Sequence, residues 1–186
     1  NLLAVFSINN VNGSARRIVE EYMVSETRLE EIRRSIMEIH RLALSHIVAA
    51  DHASMIKLVQ DIKTEEAALD EKLAEYESFV SEQDMGTYQT LTEEYEALKH
   101  ALVGLVCASA DSKTQEAYTM ANGEVADRSE AAEGGINVLS ASVSTQAETA
   151  KSRLLVVYVT SLAVSAGTLL AGVILVWAAL RIIRKY

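Results

Sequence analysis

The chain has 186 residues, 49% of them hydrophobic and 23% charged, with no proline and a single cysteine. One cysteine excludes an internal disulfide, an iron–sulfur cage and a cysteine-rich zinc site, and a net charge of −9 excludes the basic footprint of a nucleic-acid binder. A mean hydropathy of +0.11 is high for so acidic a chain, so apolar and charged residues must be segregated, and the lack of proline favours long uninterrupted helices.

The chain opens in an apolar run, LLAVFSINNV, without the basic n-region or small-residue cleavage site of a signal peptide. Residues 1–11 read as the final turns of a first membrane helix. The alternative is a short apolar lead-in left by signal cleavage. Residues 12–153 then form one extramembrane domain of four helical stretches, with no strand alternation.

The first stretch runs from about residue 14 to 50. Leu29, Ile32, Ile36, Ile39 and Ala43 alternate by three and four residues, a heptad seam. The second covers about 52–81, with Met55, Leu58, Ile62, Leu69, Tyr76 and Phe79 on the seam and Glu65 and Lys72 filling two of its places. The pattern breaks near Gly86, where a helix end and a new N-cap at Thr87 are expected. The third stretch is the cleanest, with Tyr88, Leu91, Tyr95, Leu98, Leu102 and Leu105, and should end between Ser109 and Lys113. The fourth begins near Thr114 and carries Ile136, Leu139, Val143 and Ala150 on one stripe. Gly123, Gly134 and Gly135 weaken its front half, each by about 1 kcal/mol relative to alanine. The adjacent pair marks either a loosened turn or a close helix approach. Short connections make this an all-α, antiparallel up-down-up-down four-helix bundle.

Residues 154–180 contain no charged side chain. That length exceeds the roughly 20 residues needed to cross a bilayer core, so the fourth helix is expected to run unbroken from the distal turn through a second transmembrane helix. Trp177 sits where an interfacial aromatic belongs, and Arg181, Arg184 and Lys185 make residues 181–186 the cytoplasmic end. Ala163, Gly167 and Ala171 recur at four residues and form a face for close helix packing.

Catalytic signatures are absent: no phosphate-binding glycine loop, HExxH, GxSxG or CxxCH. No enzyme activity and no cofactor are expected. Cys107 reads as a small core residue. His40, His46 and His52 are spaced by six, which puts them on different helix faces, so no metal site is expected. The distal half of the first helix carries Arg28, Arg33, Arg34, His40 and Arg41. Arg34 and Arg41 are seven apart and share a face, with Arg33 at its border. Guanidinium forks grip carboxylates bidentately, so Arg33, Arg34, His40 and Arg41 are the candidate ligand residues, for a small anionic ligand. Counting back from the distal turn puts Arg34 level with about 127–133. The competing reading pairs the arginines with Asp127, Glu130 and Glu133, or with Glu30, Glu31 and Glu38 on their own helix. The hydroxyl run SASVST, residues 140–145, adds possible ligand contacts or a close-packing face.

These features together resemble the sensory half of bacterial chemoreceptors, the methyl-accepting chemotaxis proteins. The local likenesses are LEEIRRSIMEIHRLALSHIVAAD in the first helix, QEA at 115–117 and ALRIIRKY, which looks like the entry into a HAMP linker. The resemblance implies a homodimer in the bacterial inner membrane with its bundle outside the cytoplasm. It implies a pocket between helices 1 and 4 of the two subunits, for a small molecule or a ligand-binding protein. It implies a displacement of the fourth helix, passed to cytoplasmic signalling domains beyond this chain. A sensor region of a histidine kinase, or a membrane-anchored bundle that binds a protein partner, would share the same pattern.

Overall fold

The structure is a computed structural model that describes residues 2–184, with side chains described from residue 13 onward except at 183. Helix α1 spans Leu2–Ile47, α2 His52–Tyr76, α3 Met85–Ala110, α4 Thr114–Met120 and α5 Ala126–Ile183. A short 3₁₀ turn, Glu77–Phe79, follows α2, and a π-helical turn, Ala121–Val125, joins α4 to α5. No strand occurs among the described residues. The chain divides into two compact units: Met23–Ser144, and the terminal segments Asn1–Tyr22 with Thr145–Tyr186.

Met23–Ser144 is the bundle. Cross-helix bonds fix its topology. Arg28 of α1 reaches Glu75 of α2 at 3.1 Å, and Lys72 donates to Ser35 at 2.6 Å, so rising numbers on α1 meet falling numbers on α2. Tyr95 and Lys99 of α3 meet Glu66 and Asp70 of α2. Arg128 of α5 meets Glu94 of α3 at 2.8 Å. Ser140 donates to the Glu26 carboxylate at 2.9 Å. The buried His46–Ser109 contact at 2.9 Å joins the ends of α1 and α3, which point the same way. This is the expected up-down-up-down order.

The core follows the predicted seams of α1 and α3, while on α2 Met55 and Leu58 stay half-buried and Leu73 is buried beside the predicted Lys72, and on α5 Val143 is half-buried. Leu29, Ile32, Ile36, Ile39 and Ala43 are fully buried, as are Leu69, Leu91, Leu98, Leu105, Ala132 and Ile136. Each large aliphatic side chain so buried contributes about 1.5–3 kcal/mol. The two central tyrosines satisfy their hydroxyls on backbone carbonyls, Tyr88 on Leu73 at 2.8 Å and Tyr95 on Glu66 at 3.0 Å, so their burial leaves no polar group unpaired. Gly135 is a close approach: a Cβ there would lie 3.2 Å from Leu91 Cβ, while Gly134 faces open space.

Several local expectations change. Helix α2 ends at Tyr76, not near 81, because the 3₁₀ turn breaks the 3.6-residue period, and Phe79 is consequently exposed. Helix α3 starts at Met85 with Asp84 at the N-cap position, so Gly86 lies in its first turn and Thr87 is no cap. The start of α2 follows Asp51, whose carboxylate accepts the Ser54 N–H at 2.8 Å. That bond holds the Asp51 carboxyl below its usual range. Cys107 is exposed, not in the core. Its apolar neighbours in sequence are not neighbours in space, since each helical residue turns the face by about 100°. The fourth rod is not unbroken: Gly123, with φ −108° and ψ −106°, leaves helical geometry inside the π turn.

The stretch through α4 and α5 is apolar and long enough to cross a membrane, with a mean hydropathy of 2.1 in its most apolar window and none of that window buried. Arg181 lies over the Trp177 ring at 5.2 Å. The backbone of residues 2–11 is helical. The side chains of the expected first membrane helix, and Lys185 and Tyr186 of the expected linker, lie outside the described residues.

Candidate functional site

Helix α1 has a second seam, turned outward. Arg34, Met37, Arg41 and Leu44, with Val48 just past the helix end, repeat by three and four residues and all are exposed, Met37 at 57% and Val48 at 65%. The same spacing that buries Ile36 and Ile39 therefore leaves an apolar strip interrupted by two arginines on the surface.

The candidate cations separate along this geometry. Arg33 turns away from the outward seam and donates to Asn137 Oδ1 of α5 at 2.9 Å and to Glu30 at 3.2 Å. Its partner lies past the acidic stretch 127–133 expected level with Arg34. The π turn adds one residue to that count. Arg41 grips Glu38 with two nitrogens, Nε at 2.8 Å. This contact holds the Glu38 carboxyl below its usual range and raises the Arg41 guanidinium. Arg28 pairs with Glu31 and Glu75. Three of the arginines thus take carboxylates of their own helix, and none pairs with Asp127, Glu130 or Glu133 among the described residues. Arg34 is exposed and makes no ion pair or hydrogen bond among them. His40 is half-buried and likewise makes no hydrogen bond there. Ser140 and Ser142 of the hydroxyl run are engaged, by Glu26 at 2.9 Å and Gln83 at 3.5 Å.

A polar face that the charge pattern did not reveal lies on α4. Gln115, Tyr118, Thr119 and Asn122 stand at i, i+3, i+4 and i+7 and, with Gly123, line an open depression of about 600 Å³. Thr119 and Asn122 bond back to the carbonyls of Gln115 and Tyr118, both at 2.9 Å. The Gln115 amide and the Tyr118 hydroxyl make no hydrogen bond among the described residues, so the face offers neutral donors and acceptors. Helical spacing of uncharged polar residues was the available signal, and a search led by charge passes over it. No group of three or more potential metal ligands occurs among the described residues.

In the apolar part of α5, Ala163, Gly167 and Ala171 share one exposed face. A Cβ at Gly167 would meet nothing within 4 Å. The chain therefore combines a four-helix bundle, an outward arginine-bearing seam and an apolar helix. Residues 2–158 match the family described as four helix bundle sensory module for signal transduction. No curated protein matches the chain.

Proposed function

Because the chain belongs to the four-helix-bundle sensory modules for signal transduction, we propose that it is the sensing and transmembrane-signalling part of a bacterial chemoreceptor. In this reading residues 12–153 are the extracytoplasmic sensor, 154–180 cross the inner membrane and 181–186 start the cytoplasmic linker. Its role is regulatory, not enzymatic. Two copies pair through the outward seams of α1. Two Arg34 guanidinium groups that approach across a twofold axis repel each other unless an anion lies between them. A small carboxylate supplies that charge and matches the guanidinium fork. Arg41 and His40 border the site, Arg33 braces α1 on α5, and the α4 face adds neutral hydrogen bonds. Ligand binding then biases two arrangements of the bundle by its differential affinity for them. Helix α5 passes the change to a cytoplasmic output, with the 163–167–171 face packing against a neighbouring helix.

The observation that carries this reading is Arg34, an exposed cation that makes no ion pair or hydrogen bond among the described residues, in a seam it shares with apolar side chains and Arg41. Titration of the full chain in lipid nanodiscs with a panel of small carboxylates and amino acids tests it. At least one anionic member should bind saturably, and Arg34→Ala should abolish that binding with helix content unchanged. Wild-type affinity in Arg34→Ala discards the site. Failure of the whole panel to bind turns the reading towards a protein partner.

A further inference from the structure

The π turn between α4 and α5 is the one departure from regular helix in the fourth rod of the bundle. A π turn holds one residue more than the α-helical turn it replaces. Here the widened turn is held by a side chain: Asn122 Nδ2 donates to the Tyr118 carbonyl at 2.9 Å. In a regular α-helix that carbonyl takes the backbone N–H of residue 122. The amide side chain shares that acceptor with the Ala121 N–H, so both lone pairs of the Tyr118 carbonyl are taken and closure of the turn must displace one donor. No other part of the bundle crowds Gly123, where a Cβ would meet no atom beyond its own turn within 4 Å.

The two sides of the turn are held unequally. Helix α4 has 7 residues and buries only Ala117. Helix α5 buries Ala132, Ile136 and Leu139 in the core, and Gly135 sits against Leu91. Met120 of α4 lies over Gly104 of α3, its Cε 3.1 Å from where a Cβ would be. A flexible methionine on a bare glycine is a contact that can slide. If the turn closes, α4 is therefore the side that moves.

We propose that the π turn is a one-residue register store. Its closure turns α4 by about 100° and shifts it by about 1.5 Å on α3, while α5 keeps its core. The polar face of Gln115, Tyr118 and Thr119 is presented in one state and withdrawn in the other. The importance of that face rests on the sensory reading above, but the register argument does not, and its test uses no ligand.

The test is thiol labelling of the full chain in nanodiscs, in a Cys107→Ser background. Ala117→Cys reports on α4 and Leu139→Cys on α5. Asn122→Ala frees one lone pair of the Tyr118 carbonyl and should raise labelling at 117 about fivefold, the factor equivalent to one ordinary hydrogen bond, with no change at 139. Deletion of Gly123 removes the stored residue. It should leave the bundle folded with its melting temperature preserved, and slow labelling at 117 by a similar factor. Deletion of Ala131, inside α5, should instead destabilise the bundle, because it rotates the core face. Hydrogen exchange of the amides of residues 118–126 reads the same closure without any cysteine. The proposal is overturned if deletion of Gly123 unfolds the bundle, leaves labelling at 117 unslowed or proves no better tolerated than deletion of Ala131. It is equally overturned if Asn122→Ala changes 117 and 139 alike.

Discussion

Two faces of α1 share one spacing and meet opposite environments. On the inward face, Leu29, Ile32, Ile36, Ile39 and Ala43 have no exposed surface, and the other helices of the same chain account for all of it. On the outward face, Arg34, Met37, Arg41, Leu44 and Val48 stay exposed. From Leu29 to Ala43 the inward seam is apolar, and His46 continues it one turn further. The outward face interrupts its apolar side chains with two cations, a composition that in paired helices gives up packing stability for specificity of register. A heptad pattern therefore says that a face is built to be covered, but not by what. The identity of the interrupting residues carries that second piece of information.

The largest expected effect compares neighbours in sequence. Ile36→Ala removes a fully buried side chain and should cost about 2–5 kcal/mol by chemical denaturation. Met37→Ala, one residue away and mostly exposed, should change stability by no more than about 0.5 kcal/mol at concentrations where the chain is monomeric. It should weaken self-association measured by sedimentation. Equal costs at the two positions would break the distinction between the faces. A smaller effect is expected where the inward packing is closest. Gly135→Val adds methyl groups against Leu91, whose Cβ already lies 3.2 Å from the site of a new Cβ, and overpacking of this kind costs about 1–3 kcal/mol. The same change at Gly134, which faces open space, should be the better tolerated of the two.

The inward face was legible because burial and period are linked: five predicted seam residues of α1 are the five fully buried ones. The third seam, from Tyr88 to Leu105, is likewise buried throughout. Element ends were less legible. Phe79 continued the apolar count of α2, yet the chain had already turned after Tyr76, and periodicity contains no term for a 3₁₀ turn. Cys107 looked internal from its sequence neighbours, but α3 buries Leu105, Ala108 and Ser109 and turns 107 outward. The candidate site was legible as a cluster of arginines but not as a division of labour. Which guanidinium is taken by Glu30, Glu38 or Asn137 depends on rotamers and cross-helix register. The polar face of α4 lacked charge and the π turn lacks any period, so neither stood out.

The smallest expected effect separates the two faces by pH. His46 continues the inward seam three residues beyond Ala43, is buried, and bonds Ser109 Oγ through Nδ1 at 2.9 Å. The Ser109 hydroxyl in turn donates to the His46 carbonyl at 3.2 Å, which leaves Nδ1–H as the donor of the pair. Burial pushes the imidazole pKa down. The unfolded chain takes its proton near the ordinary histidine value of about 6.5, so just below that pH it binds more protons than the folded chain. Stability therefore rises with pH across this window and is lost as pH falls from about 6.5 towards the folded value. On the outward face, Glu38 is held low by Arg41. Its contribution is present above the ordinary glutamate value of about 4.3 and is lost only as pH falls further, through its folded value. Denaturant midpoints of the wild-type chain should thus carry a first loss as pH falls below about 6.5, before the Glu38 carboxylate responds. His46→Gln keeps an N–H for Ser109 without a titrating ring, and should flatten that first step while leaving the acid step intact. Glu38→Gln should do the reverse. A first step that survives in His46→Gln would assign it to another group and remove the inward face from the pH response.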